Sequence, residues 1–263
     1  MRFQTEIENK LSNTTFKSLP KSLILCGEEG CGRHLLVKEI AEKFNLETVN
    51  ITDKLDFENI SKFQMCTDTR LYYIDCDRIT TKAQNAVLKF LEETPETAVI
   101  CLIVENRNKL LPTIKNRCET WVFRRYTKEE LREFTADDSI LEYATTPGQV
   151  ISFTGTNLSG LKELCEKIFK VIHTATVPNA LSISNKIAWK SEPEKYNIKL
   201  FYKCLYRTAF ELAILDQRYY NAYIETKKLL SNSDILNIDQ KKLFEDYLVS
   251  LKEVQEAVMK SED

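Results

Sequence analysis

The sequence predicts an α/β domain built on a parallel sheet, followed by a region made entirely of helices. Three observations predict it. Short apolar runs alternate with amphipathic runs from residue 22 to residue 123, the pattern of strands connected through covering helices. Beyond Phe123 the strand signal stops, and the longer segments repeat their apolar residues at helical spacing. Gly and Pro number only 6 each, so little interrupts those helices.

Taken in order, residues 1–20 place Ile7, Leu11, Phe16 and Leu19 among polar residues, the pattern of a helix and a connecting loop. Strand-like runs follow at 22–26, 47–51, 71–75, 98–104 and 120–123, with helical patterns at 33–44, 56–65, 80–92 and 107–115. A helical segment at 127–143 leads to a break at Pro147 and Gly148. Helices are then expected at 158–173, 179–190, 196–216, 219–231 and 238–260. The division this suggests is an α/β domain at 1–125, a small helical lid at 126–155 and a helical C-terminal domain at 156–263.

Hydrophobic residues at 43% and charged residues at 29% describe an ordinary globular chain. A net charge of −2 supplies no global basic field, so any contact with nucleic acid has to be local or shared with other subunits. The N-terminus lacks the apolar centre of a signal peptide, and no apolar run approaches the ~18 residues of a membrane span. A cytoplasmic protein without membrane contact is expected. The 8 cysteines form no C-x-x-C pair, which argues against zinc and for buried, reduced thiols.

Three motifs carry the chemistry. In Leu25 to Leu36, LCGEEGCGRHLL, the glycines approximate the phosphate-binding pattern G-x-x-x-x-G-K-[ST] between a strand and a helix. Gly27 opens the loop, Gly30 lies within it, and Gly32 precedes the basic position. Arg33 and His34 stand where that pattern has Lys and Ser or Thr. Arginine lacks the compact ammonium of the phosphate-binding lysine, and imidazole offers Mg²⁺ no hydroxyl. In Leu71 to Thr80, LYYIDCDRIT, an apolar strand ends at Asp75, the place of a carboxylate that meets a metal shell. By itself Asp75 reads equally well as a turn or capping residue. Cys76 follows where an active ATPase commonly has a glutamate, and a thiol cannot act there as the base for water.

The third motif spans Thr81 to Phe123. Its segments QNAVLKFLEE, from Gln84, and LLPTIKNRC, from Leu110, resemble sequences of the clamp-loader AAA+ subunits of bacterial DNA polymerase III. The resemblance covers 22–123; the helical remainder agrees in size and class alone. It implies a RecA-like AAA+ domain with a P-loop, a small helical lid and a helical C-terminal collar. It also implies that Arg117, within Asn116-Arg117-Cys118, is an arginine finger reaching in trans to ATP held by a neighbouring subunit. A guanidinium is suited to that task because it grips phosphate oxygens in a two-pronged way.

Within that family the departures at Arg33, His34 and Cys76 resemble the delta-prime subunits, whose P-loop is often degenerate. A fourth departure lies in the lid, where the family's sensor arginine follows Pro-Gly and this chain has Gln149. The resemblance implies a subunit of a DNA-directed DNA polymerase holoenzyme without ATPase activity of its own. ATP binding by this chain is not expected, and neither cofactor nor metal is expected. The partners implied are gamma/tau motor subunits, the delta subunit, the sliding clamp and primed DNA within the assembled complex. The zinc module of many relatives is absent, since the segment 45–70 carries Cys66 alone.

Alternatives stay open at this point. The chain could be an active AAA+ ATPase using Arg33 in a variant loop, because backbone N–H groups at a helix start still attract phosphate. It could be an adaptor that kept the fold and left the ring. Lys38, Lys43, Lys82 and Lys89 read as solvated lysines or as local DNA contacts. The aromatic stretch Lys199 to Tyr223 reads as helical core or as a collar surface.

Overall fold

Five short runs rich in apolar side chains form the strands β1 (Ser22–Cys26), β2 (Glu47–Asn50), β3 (Arg70–Asp75), β4 (Ala98–Val104) and β5 (Glu119–Val122). All pair in parallel, in the order β2-β3-β4-β1-β5. Sequence dictates which are central. Every residue of β4, AVICLIV, is buried, as a strand covered on both faces requires. β2, with ETVN, is largely exposed and takes one edge, while β5 takes the other. The computed structural model describes residues 3–51, 69–92, 97–174, 176–187, 197–233 and 239–260. The helix expected at 56–65 and Cys66 lie outside the described residues.

Alternation along the strands divides the core into two layers. Leu23, Leu25, Leu71, Val99, Cys101 and Ile103 face one side. There they meet Ile7 and Leu11 of α1 (Thr5–Asn13) and Leu36, Val37 and Ile40 of α2 (Arg33–Phe44). Ile24, Tyr72, Ile74, Ile100 and Leu102 face the other. That layer holds Val87, Phe90 and Leu91 of α3 (Thr81–Glu92) and Ile114 of α4 (Pro112–Lys115). Each such side chain, fully buried, contributes roughly 1.5–3 kcal/mol. Because all strands are parallel, the segments after β1, β3 and β4 emerge at the same end of the sheet.

The described chain divides into two compact units, 1–134 with 145–149, and 135–144 with 150–263. The stretch 126–155, expected as a lid, is thus shared between them. Its single helical segment at 127–143 is realised as two short helices, α5 (Lys128–Leu131) and α6 (Asp138–Leu141), followed by α7 (Pro147–Phe153). The reason is local. Thr127 caps α5 in a reciprocal box with Glu130, and Asp137 starts a new helix by accepting from the Ser139 amide at 2.9 Å. Pro147 opens α7 instead of ending a helix.

The second unit continues with α8 (Leu158–Thr174), α9 (Val177–Leu181), α10 (Ile198–Leu215), α11 (Tyr220–Asn232) and α12 (Gln240–Lys260). The helix expected over 179–190 is shorter and earlier, since Pro178 fits its first turn. The aromatic stretch is buried in part and exposed in part. Phe201 and Tyr202 are buried against Phe244, with the Phe201 and Phe244 rings 5.4 Å apart. Phe210, Ile214, Leu215 and Tyr220 remain exposed. Among the described residues no helix is long and apolar enough to cross a membrane.

Candidate functional site

The loop after β1 turns from strand to helix on three glycines. Gly30 and Gly32 adopt φ of 80° and 110°, the left-handed region in which glycine carries no side-chain penalty. Gly27 has a steric reason instead: a Cβ there would lie 2.6 Å from the Cβ of Phe123. The Gly27 amide donates to the Val104 carbonyl at 3.1 Å, fastening the loop to β4.

The loop is also fastened from outside by residues 145–149. The Gly148 amide donates to the Gly30 carbonyl at 3.0 Å, and the Thr146 hydroxyl donates to the Glu29 carbonyl at 2.7 Å. Gly30 and Gly148 approach backbone to backbone, so a Cβ on Gly148 would stand 2.5 Å from the Gly30 Cα. Gln149 is absorbed in the same contact. Its side-chain oxygen accepts from the Thr145 amide at 3.0 Å, and its Nε2 donates to the Glu29 carbonyl at 3.4 Å. The Tyr126 hydroxyl holds the Cys31 carbonyl at 3.0 Å.

Arg33 does not extend into solvent. Its side chain is 7% exposed, and Nη1 donates to Asp77 Oδ2 at 3.0 Å. Asp77 is itself 15% exposed and gathers further partners. The Glu105 amide donates to both its oxygens, at 3.0 and 2.8 Å, and Lys109 Nζ stands 3.5 Å from Oδ1. His34 is exposed and meets the Tyr73 ring edge-on at 6.0 Å. Asp75 caps the turn Cys76–Arg78, accepting from the Asp77 amide at 3.1 Å. Burial, reinforced by Asp75, Asp77 and Cys118, raises the Cys76 thiol far above its ordinary value, so it holds its proton at neutral pH. Burial pushes Cys31 up to about 11, partly opposed by the Arg33 cation. Among the described residues no cluster of three metal-binding side chains exists.

Arg117 lies beyond α4 in a different setting. Its side chain is 41% exposed, and Nη2 meets Glu92 Oε1 at 2.8 Å, at the end of α3. Nη1 donates to the Thr113 carbonyl at 3.2 Å. The segment leading to it is anchored by Gln84, buried on α3. The Gln84 Nε2 donates to the Lys109 carbonyl at 3.0 Å, and its oxygen accepts from the Leu111 amide at 2.9 Å. Next to Arg117, burial pushes the Cys118 thiol up to about 12 against the opposing Arg107 cation.

The structure therefore joins Gly30 with Gly148, Glu29 with Gln149, and Arg33 with Asp77. It gives Arg117 separate partners. Asp77 and Thr146 went unread in the sequence, while Gln84 and Glu92 were read only as part of the motif QNAVLKFLEE, without these contacts. An Asp-x-Asp pair at a strand end, 75 and 77, was the visible signal for the first.

Residues 54–127 match the family described as DNA polymerase III, delta subunit. The delta-prime subunit of DNA polymerase III from Bacillus subtilis is 34% identical over 91 residues, covering 34% of this chain and 26% of the relative. A gamma/tau subunit from Mycoplasma genitalium is 23% identical over 149 residues, covering 44% of this chain and 25% of the relative. The matches thus span about a quarter of the length of these curated relatives. Among solved structures, a DNA polymerase III gamma subunit-related protein from Thermotoga maritima superposes with a TM-score of 0.55 at 19% identity, covering 96% of this chain and 99% of that one. At that identity the likeness concerns the fold alone, a parallel α/β sheet domain with helical regions. The chain resembles DNA polymerase III delta-prime subunits.

Proposed function

We propose that this chain acts in the cytoplasm as a delta-prime-like subunit of a DNA polymerase III clamp loader. In this reading it sits beside a gamma/tau-type motor subunit and presents Arg117 to the ATP that subunit holds, while the sliding clamp is loaded onto primed DNA. Its own loop neither hydrolyses nor requires nucleotide. The collar role belongs to the exposed end of α10, with Phe210, Ile214 and Leu215.

The observation that carries the reading is the unequal treatment of two arginines. Arg33, at the position of the phosphate-binding lysine, is buried and committed to Asp77. Arg117 is exposed and held by an ion pair in solvent that is worth at most about 1 kcal/mol. A guanidinium so weakly held can exchange its carboxylate for a phosphate on another chain, and a finger of that kind contributes about 10³–10⁵ in rate in GTPases.

The test mixes the full chain with the motor and delta subunits of its organism. A defined complex that loads the clamp on primed DNA, and loses loading when this chain is omitted, is expected. Steady ATP turnover by the isolated chain, abolished by Asp75→Asn, would overturn the reading in favour of an active ATPase with a variant loop.

A further inference from the structure

In the proposed function Asp77 figures only as the partner of Arg33, yet it also takes the Glu105 amide on both oxygens and stands beside Lys109. One side chain joins three segments that the chain order keeps far apart. Arg33 belongs to the start of α2, Asp77 to the turn after β3, and Glu105 and Lys109 to the segment after β4. The connection continues without a gap. Lys109 and Leu111 are gripped by Gln84, Leu111 is the N-cap of α4, and Arg117 follows α4.

We propose that Asp77 is the positioning residue for Arg117, fixing the course of residues 105–117 through the Glu105 amide and Lys109, with the Arg33 guanidinium as its internal counter-charge. The inference rests on the finger reading of Arg117. It gives the altered loop a purpose. Arg33 meets one oxygen of Asp77 while the Glu105 amide donates to both, so the side chain is held from two sides at once.

Asp77 reaches across to the next strand's exit, 28 residues away at Glu105 and 32 at Lys109. A carboxylate between two strand exits sets the angle at which the second segment leaves the sheet.

The experiment uses the assembled complex and measures ATP turnover by the motor subunits with clamp and primed DNA. Wild type, Asp77→Ala, Asp77→Asn and Arg117→Ala are compared. Displacing a positioned group by about 1 Å can cost about 100-fold, so Asp77→Ala is expected to lower kcat by about tenfold or more, with KM for ATP and assembly unchanged. Asp77→Asn, which keeps one acceptor for the Glu105 amide, should fall in between. It also serves if complete removal unfolds the chain. Hydrogen exchange on the full chain should quicken across residues 105–117 and stay slow in β1 and β4. Full turnover with both Asp77 variants, beside a collapse with Arg117→Ala, overturns the positioning role and leaves the finger standing. Unchanged turnover with Arg117→Ala removes the finger reading and this inference together.

Discussion

Two arginines at opposite ends of a single sheet, Arg33 after the end of β1 and Arg117 before the start of β5, are held in opposite ways. Around Arg33 the chain has filled every visible role itself: a carboxylate for the cation, and hydroxyl, amide and backbone donors for the loop carbonyls. Arg117 is instead exposed, with its guanidinium paired at the surface with Glu92 and the Thr113 carbonyl. The difference teaches that burial and a carboxylate partner decide whether an arginine ties its own fold together or stays accessible at the surface. Gly30 allows a backbone contact with Gly148, and Arg33 is an internal tie to Asp77.

The comparison can be broken first at Arg33. Arg33→Met strips a buried cation from Asp77. Removing one member of a buried pair costs about 3–5 kcal/mol, and because the Glu105 amide and Lys109 remain, the lower end near 3 kcal/mol is expected. Urea unfolding of the full chain measures it; an unchanged midpoint would mean that the pair is incidental.

A smaller effect is expected from Gly148→Ala. The added methyl meets the Gly30 backbone, which cannot rotate away as a side chain would. Overpacking of this kind costs about 1–3 kcal/mol, and about 2 kcal/mol is expected in the same unfolding assay. A neutral result would show that residues 145–149 do not close the loop.

The thiols sharpen the comparison, since each region has one. Cys31 beside Arg33 and Cys118 beside Arg117 are pushed up to about 11 and about 12 from an ordinary 9.0. Above that ordinary value the unfolded chain releases protons that the folded chain still holds. Their stabilising effect is therefore complete below pH 9.0 and is lost as pH rises through about 11 and then about 12. Denaturant midpoints should fall between about pH 8 and about pH 10.5, and Cys31→Ala with Cys118→Ala should flatten that fall. A rise over the same interval contradicts the burial of these groups.

The smallest effect belongs to Glu92→Gln. Both partners are more than a third exposed, so losing the pair should alter stability by less than about 0.5 kcal/mol. A large loss would show that Arg117 is held as firmly as Arg33.

Much of the fold was legible because burial writes itself into runs. β4 is apolar throughout, and α2 and α3 repeat their apolar residues at helical spacing, so their positions could be read directly. The interrupted helix at 127–143 was not legible from periodicity. Its break depends on Asp137 and Thr135 bonding nearby amides, a local competition that hydrophobic spacing does not record. At the site, the substitutions at Arg33 and Cys76 could be seen, but their physical outcome could not. Arg33 alone reads as a displaced phosphate ligand; its burial follows from Asp77, 44 residues away. Glu92 is likewise joined to Arg117 only when α3 and α4 pack together.

The most direct test places Arg117→Ala and Arg33→Ala, separately, in the assembled complex and measures ATP turnover by the motor subunits with clamp and primed DNA. Arg117→Ala should leave assembly intact and lower turnover by about 10³-fold, the lower end of what such a guanidinium contributes, and Arg117→Lys should not restore it. Arg33→Ala should weaken the fold while leaving the turnover of properly assembled complexes within about threefold of wild type, since Asp77 keeps its amide and Lys109 contacts. The reverse pattern, with Arg33 essential to turnover and Arg117 silent, would contradict the account and give the loop after β1 a working nucleotide site.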